Sequence, residues 1–324
     1  MNKSKENMEI NLPKYQLNLY GYEYYFNSFV KLFNQKKLHN TILLSGPKGS
    51  GKATFAYHFV NYLLSLNDKN KYSINNYSID PENKTYISIC NQTNPNFLIL
   101  ENNAFDENIK IDNVREILKF LNKTTYNSNI KIILIDNIEY LNVNSSNALI
   151  KALEEPNSNT FFFIIHNGAK KILNTIKSRS IEFKLFFNLS QKKNILEKLL
   201  EQYKENLNPE EIIDYFYFDT PGNILKYIST LKGSDLDFTS NTLTCITDLI
   251  LKYKLKKDPQ LLSFISTFVE KFYNNLVIDN QKNLNIYFHN KFKILKQIDD
   301  VKKFNLDKNN FFISMQAILE NESK

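Results

Sequence analysis

The stretch GPKGSGKAT, Gly46 to Thr54, decides how the rest of the chain is read. A phosphate-binding loop requires Gly, four residues, Gly-Lys, then a hydroxyl residue. The glycines let backbone N–H groups cradle phosphates, the lysine reaches the outer ones, and the hydroxyl holds Mg²⁺. This chain supplies Gly46, Gly51 and Lys52, but Ala53 stands where the hydroxyl belongs. The whole chain has 7 glycines, so their clustering at 46, 49 and 51 is a specific signal. Local context strengthens it. TILLS (41–45) precedes the loop as a short apolar run. ATFAYHFVNYLLSL follows with Ala56, Phe59, Val60 and Leu63 at i, i+3, i+4 and i+7. Strand, loop and helix is the setting such a loop needs.

Working outward, residues 67–96 are polar and poorly periodic and read as a loop or insertion. NPNFLILE (94–101) reads as a strand. IDNVREILKFL (111–121) reads as a helix capped by Asp112, with Val114, Ile117, Leu118 and Leu121 on one face. IKIILIDNIEYL (130–141) is continuously apolar up to Asp136, as suits a parallel strand buried on both faces. NSSNALIKALEEP predicts a helix capped at Ser145 or Ser146 and stopped before Pro156. TFFFII and IEFKL read as two more strands, with the helix-and-loop segment AKKILNTIKSRS between them. The alternation predicts an α/β parallel-sheet domain with a phosphate-binding loop over residues 1–186.

Strand signals stop after residue 186. Three short helical segments predict a small helical lid over 187–234, two of them opened by Asn208-Pro209 and Thr220-Pro221. KGSDLDFTS (232–240) is the linker candidate. Beyond it, an apolar stripe of Leu243, Ile246, Leu249, Ile250 and Tyr253 predicts an all-α C-terminal domain over 235–324. Apolar residues make up 42% and charged residues 23% of the 324, which is ordinary for a folded globular protein and argues against disorder. The two cysteines, Cys90 and Cys245, match neither a disulfide framework nor a zinc site. The first residues show no apolar leader and no stretch reaches membrane-span length, so a cytoplasmic protein is expected, with no membrane partner. The net charge of +7 is compatible with an anionic partner such as DNA and equally with lysines solvating a surface.

Two places carry chemistry beyond the loop. Asp136, ending its strand, is placed either to organise a metal or to cap the next segment. The residue after it is Asn137, and an amide cannot take a proton from water at neutral pH, so it cannot be a general base. Glu154 and Glu155 fall in the last turn of their helix, where the dipole disfavours acids. Lys151 could pair with Glu155 at i, i+4, which reduces the oddity without removing it. A motif that breaks a local rule is more often part of a site or interface than a random surface.

SNALIKALEEP followed by TIKSRS resembles the bacterial clamp-loader ATPases of the AAA+ class, whose usual forms are SNALLKTLEEP and TIxSRC. HNTILLSGPKGSGK, with His39 at a matching His, is similar to that family's HAYLFSGPxGxGK. The likeness runs from about Gly21 to Leu231. It implies an AAA+ domain, a helical lid and a C-terminal collar that joins subunits into a complex. It further implies two subunit types: a gamma/tau motor that hydrolyses ATP, and a delta-prime subunit that often cannot.

The departures fall on one side. Ala53 lacks the metal hydroxyl, Asn137 lacks the acid, and Gly222 stands where active members carry a sensing arginine. Arg179 in SRS matches the arginine that a member extends into its neighbour's ATP site. Such a finger accelerates phosphoryl transfer by about 10³- to 10⁵-fold. The resemblance thus implies a delta-prime-like subunit of the DNA polymerase III clamp loader. Its partners would be the gamma/tau motor, the clamp-opening delta subunit, the sliding clamp and, through the complex, primed DNA. A degenerate nucleotide site of Gly46, Gly49, Gly51, Lys52 and Asp136 is expected to need no cofactor. Weak ATP or ADP binding is compatible with it. No metal is expected there, and no structural zinc, since only Cys90 lies in the region where zinc-binding members have four cysteines. His166-Asn167 occupy the phosphate-sensing position and read as a buried or capping pair. The alternatives are an active gamma/tau-like ATPase and, from another class, a P-loop kinase. Tyr253, Phe264, Phe268 and Phe272 are expected to supply apolar area for the subunit interface.

Overall fold

The computed structural model describes residues 8–101, 109, 111–123, 130–154, 156, 159–168, 170–231, 242–279, 283–304 and 308–322. In chain order the elements are α1 (Glu23–Asn34), β1 (Thr41–Ser45), α2 (Lys52–Leu64), α3 (Lys84–Cys90), β2 (Phe97–Leu100), α4 (Ile111–Leu121), β3 (Lys131–Ile135), α5 (Val143–Glu154), β4 (Thr160–His166), α6 (Asn174–Lys177) and β5 (Ile181–Lys184). Helices alone follow: α7 (Leu189–Gln202), α8 (Pro209–Tyr215), α9 (Pro221–Leu231), α10 (Thr242–Lys256), α11 (Pro259–Asp279), α12 (Leu284–Phe304) and α13 (Lys308–Glu322).

The chain forms two compact units. One comprises residues 10–209 and 217–225; the other comprises the N-terminal residues to 9, 210–216 and 226–324. The boundary expected at 234/235 lies outside the described residues, as does the 232–240 linker candidate.

In the first unit the five strands make one parallel sheet in the order β2-β3-β4-β1-β5. Helices cover both faces, so β1, β3 and β4 bury side chains alternately on opposite sides. Ile42, Leu44, Ile132, Leu134, Phe163 and Ile165 join one core with Phe26, Phe29, Phe55 and Phe59. Leu43, Ile133, Ile135, Phe162 and Ile164 join the other with Val114, Ile117 and Leu149. The continuous apolar runs in the sequence reflect this two-sided burial.

Local chemistry shifts several predicted boundaries. Within the expected 67–96 loop lies α3, a helix of 7 residues whose N-cap Asn83 accepts from Tyr86 N at 2.6 Å. Asp112 sits in the first turn of α4 rather than at its cap and pairs with Arg115 at 2.7 Å. For α5, Ser145 and Ser146 are inside the helix. The side chain that satisfies its first turn is Asn142, whose Oδ1 accepts from Ser145 N at 2.8 Å. Ser145 Oγ instead reaches back to Ile109 O at 2.8 Å. The strand predicted to end in Asp136 closes one residue earlier, at Ile135, and Asn137 then turns the chain into the left-handed region (φ 57°, ψ 52°) ahead of a 3₁₀ turn at Ile138–Tyr140.

The second unit packs α10 to α13 around their own apolar residues. Of the predicted stripe, Ile246, Leu249 and Ile250 are fully buried while Leu243 is only half-buried, and Cys245, outside the stripe, is fully buried with them. Tyr253, Phe264, Phe268 and Phe272 are buried as well, inside the unit rather than on the surface the sequence reading assigned to them. Among the described residues, the exposed apolar ones there include Leu251, Leu255, Ile278, Phe288 and Phe292. Among the described residues no helix is long and apolar enough to cross a membrane.

Candidate functional site at the sheet edge

β3, β4 and β1 are neighbours and run the same way, with Ile135 opposite Ile164 and His166 opposite Ser45. Their carboxyl ends therefore open onto one edge, where open α/β sheets bind ligands. The glycine-rich loop leaves β1, Asp136 and Asn137 leave β3, and Asn167 follows β4. Gly46 N donates to His166 O at 3.3 Å, tying the loop to β4.

Lys52 opens α2 and is buried. Its ammonium donates to two carbonyls of its own loop, Gly46 O at 2.8 Å and Pro47 O at 2.6 Å, and lies 3.4 Å from Ser50 Oγ. Burial lowers its pKa to about 8, and the negative charges of Asp136 and Glu139 work against that fall. The loop is also held from the α1 side, where Tyr22 OH donates to Ser50 O at 2.7 Å. Ala53 packs its methyl against the aromatic core.

Asp136 is pushed up to about 6 by burial, against the opposing effects of the Asn137 N–H, 2.9 Å from Oδ1, and of Lys52. Asn137 directs its side chain sideways: Asn167 Nδ2 donates to Asn137 Oδ1 at 2.7 Å. Asn167 N donates to the buried Glu139 at 3.1 Å. His166 turns away and donates through Nε2 to Lys170 O at 3.0 Å. Asn167 is thus a link between the ends of β4 and β3, while His166 caps a turn. The sequence reading missed Glu139, whose only signal was a charge three residues beyond Asp136.

The start of α9 closes over the loop. Thr220 Oγ1 donates to Lys48 O at 2.8 Å, Asn223 Nδ2 reaches the same oxygen at 3.3 Å, and Gly222 N donates to Gly49 O at 3.0 Å. Both glycines are required by this approach. Gly49 has φ +81°, and a Cβ there would lie 2.4 Å from Thr220 Oγ1. A Cβ on Gly222 would lie 2.5 Å from Gly49 O. An arginine at position 222 does not fit while this contact holds, which gives the absent sensing arginine a steric reason.

The donor set fits a metal–nucleotide poorly. The lysine that should reach the outer phosphates is bonded to its own loop, the metal hydroxyl is an alanine methyl, and the position for a base carries an amide. The backbone cradle of Gly46, Gly49 and Gly51 is present beside Asp136, so the predicted residues are brought together. Among the described residues no group of three or more His, Cys, Asp or Glu is placed to hold a metal ion. Cys90 donates weakly to Lys14 O at 3.3 Å, and Cys245 is buried.

Arg179 stands apart from this cluster, between α6 and β5. Its Nη1 donates to Thr175 O at 3.0 Å and lies 3.4 Å from Ser178 Oγ, and its Nη2 pairs with Glu154 at the end of α5. The side chain is 32% exposed. It is neither buried nor merely solvated. Glu155, and with it the expected pairing with Lys151, lies outside the described residues.

A family described as "DNA polymerase III, delta subunit" matches residues 22–187, just over half of the chain. A DNA polymerase III subunit delta' of Pseudomonas aeruginosa is 32% identical over 140 residues, covering 43% of this chain and 41% of that protein. The chain spans about half the length of the delta' relatives it matches. A DNA polymerase III subunit gamma of Buchnera aphidicola subsp. Schizaphis graminum is 29% identical over 276 residues, covering 79% of this chain and 73% of that protein. The solved structure of a DNA polymerase III gamma subunit-related protein of Thermotoga maritima aligns with 91% of this chain and 99% of its own, at a TM-score of 0.50 and 15% identity, a likeness of fold. The chain therefore belongs to the DNA polymerase III delta-subunit family, and is a delta-prime-like protein of the AAA+ class.

Proposed function

We propose that this chain is a non-hydrolysing, delta-prime-like subunit of a cytoplasmic DNA polymerase III clamp loader. In that complex it assists the loading of a sliding clamp on primed DNA, beside gamma/tau and delta subunits. The observation that carries the reading is the contrast between two sites. Lys52 is bonded to the carbonyls of Gly46 and Pro47, and α9 sits on Lys48 and Gly49, so the groups that would handle a nucleotide are engaged with the protein itself. Arg179, by contrast, is held part-exposed on a turn, where another subunit can reach it. A planar, permanently charged guanidinium suits the phosphate oxygens of a neighbouring ATP site. The helical unit of α10–α13 offers exposed Leu251, Leu255, Phe288 and Phe292 for assembly.

A motor-subunit reading draws support from the longer alignment with a gamma subunit. Ala53, Asn137 and the Gly222–Gly49 contact weigh against it. Co-purification from the native source tests the proposal: gamma/tau and delta subunits are expected with this chain. Recovery of this chain without them, as an ATPase in its own right, would overturn it.

A further inference from the structure

We propose that Glu154 is the positioning residue of Arg179, a deepening that rests on the trans-acting reading of Arg179 above. The two residues come from different elements, one closing α5 and the other following α6, and are 25 positions apart in sequence. An arginine side chain has four free torsions, and an unheld guanidinium on a surface samples many orientations. Here it is fixed from two directions. Glu154 holds Nη2, while Thr175 O and Ser178 Oγ lie at 3.0 and 3.4 Å from Nη1. Nε–H and one N–H of Nη2 remain without an acceptor among the described residues, available to an acceptor supplied from outside the subunit.

The pairing also accounts for an acid where the helix dipole disfavours one. Glu154 ends α5, so its carboxylate sits beside the negative helix terminus and gains nothing from its own helix. Its partner is the guanidinium. The pair is too exposed, at 32% and 46%, to be a significant part of the fold's stability. What it supplies is orientation: a guanidinium already held in one orientation has less freedom left to lose on engagement.

The test is a double-mutant cycle on ATP turnover by the reconstituted complex with clamp and primed DNA. Arg179→Ala is expected to slow turnover at the site this subunit completes. Glu154→Ala is expected to slow it about 3- to 5-fold, the upper range for a partly exposed pair. Glu154→Gln, which keeps an acceptor oxygen, should recover part of the loss. Because Glu154 acts through Arg179, the double variant should be no slower than Arg179→Ala alone. The melting temperature of the isolated Glu154→Ala subunit should match that of the unaltered one, which separates positioning from folding. If Arg179→Ala slows turnover but Glu154→Ala does not, or if the double variant falls below Arg179→Ala, the positioning role is wrong and the trans-acting reading stands. If Arg179→Ala itself leaves turnover unchanged, the trans-acting reading falls and this inference with it.

Discussion

Replacing Gly222 by Ala puts a methyl where there is no room. The added Cβ would lie 2.5 Å from Gly49 O, 3.2 Å from its carbonyl carbon and 3.3 Å from its Cα. All three neighbours are backbone atoms, so no side-chain rotation can relieve the contact. The start of α9 must lift, losing the Gly222 N–H bond to Gly49 O and weakening the Thr220 and Asn223 bonds to Lys48 O. Two to three such bonds contribute about 1 kcal/mol each. Removing a helical glycine returns up to about 1 kcal/mol. The balance is a loss of about 1–2 kcal/mol, or about 2–8 °C in the melting temperature of a unit of this size. The assay is thermal melting combined with hydrogen exchange at the residue 222 amide, which should lose protection in the variant. Gly222→Arg meets the same backbone, so installing the sensing arginine should destabilise the protein without creating an ATPase. A Gly222→Ala protein that melts at or above the parent temperature, with its 222 amide still protected, would refute the reasoning.

Other outcomes follow from the same contacts. The isolated protein should show no Mg²⁺-dependent ATP turnover, and Ala53→Thr alone should not create any; turnover abolished by Lys52→Ala would contradict this. Asp136 has a folded pKa raised from 3.8 to about 6, so the folded state binds the extra proton between those values. Its stabilising contribution is full below about pH 3.8 and is lost as pH rises through 6, a change of at most about 3 kcal/mol. Asp136→Asn should flatten the stability profile across that window, as measured by urea unfolding at pH 4, 5 and 7; an unchanged slope would count against burial as the cause. A chain ending at residue 231 should fail to assemble with gamma and delta subunits in size-exclusion experiments, whereas normal assembly would remove the role of α10–α13.

The sheet was legible because its signals are local. β1, β3 and β4 are apolar without interruption, and the glycine-rich loop sits between a strand and a helix, so spacing alone located the site. Contacts between distant segments were not legible. The grip of Thr220, Gly222 and Asn223 on Lys48 and Gly49 joins positions more than 170 apart, and no periodicity encodes it. The helix α3 escaped because its 7 residues are too few to show a face. The serines of α5 were misplaced as caps because their residue type fits the role, while Asn142 fills it one turn earlier. Tyr253, Phe264, Phe268 and Phe272 were assigned to an interface because aromatic stripes read the same whether they face a partner or a core. The acid at the end of α5 did carry information: it broke a rule of helix electrostatics, and its partner proved to be Arg179.

The central claim is that this subunit gives a neighbour a catalytic group and has no turnover of its own. It is tested most directly by ATP turnover of a reconstituted clamp loader carrying Arg179→Ala, compared with one carrying Lys52→Ala. The account predicts slowed turnover and clamp loading with Arg179→Ala, with Arg179→Lys no better because an ammonium cannot grip two phosphate oxygens. It predicts parent rates with Lys52→Ala, once assembly is confirmed. The reverse pattern, normal rates without Arg179 and a loss without Lys52, would contradict it.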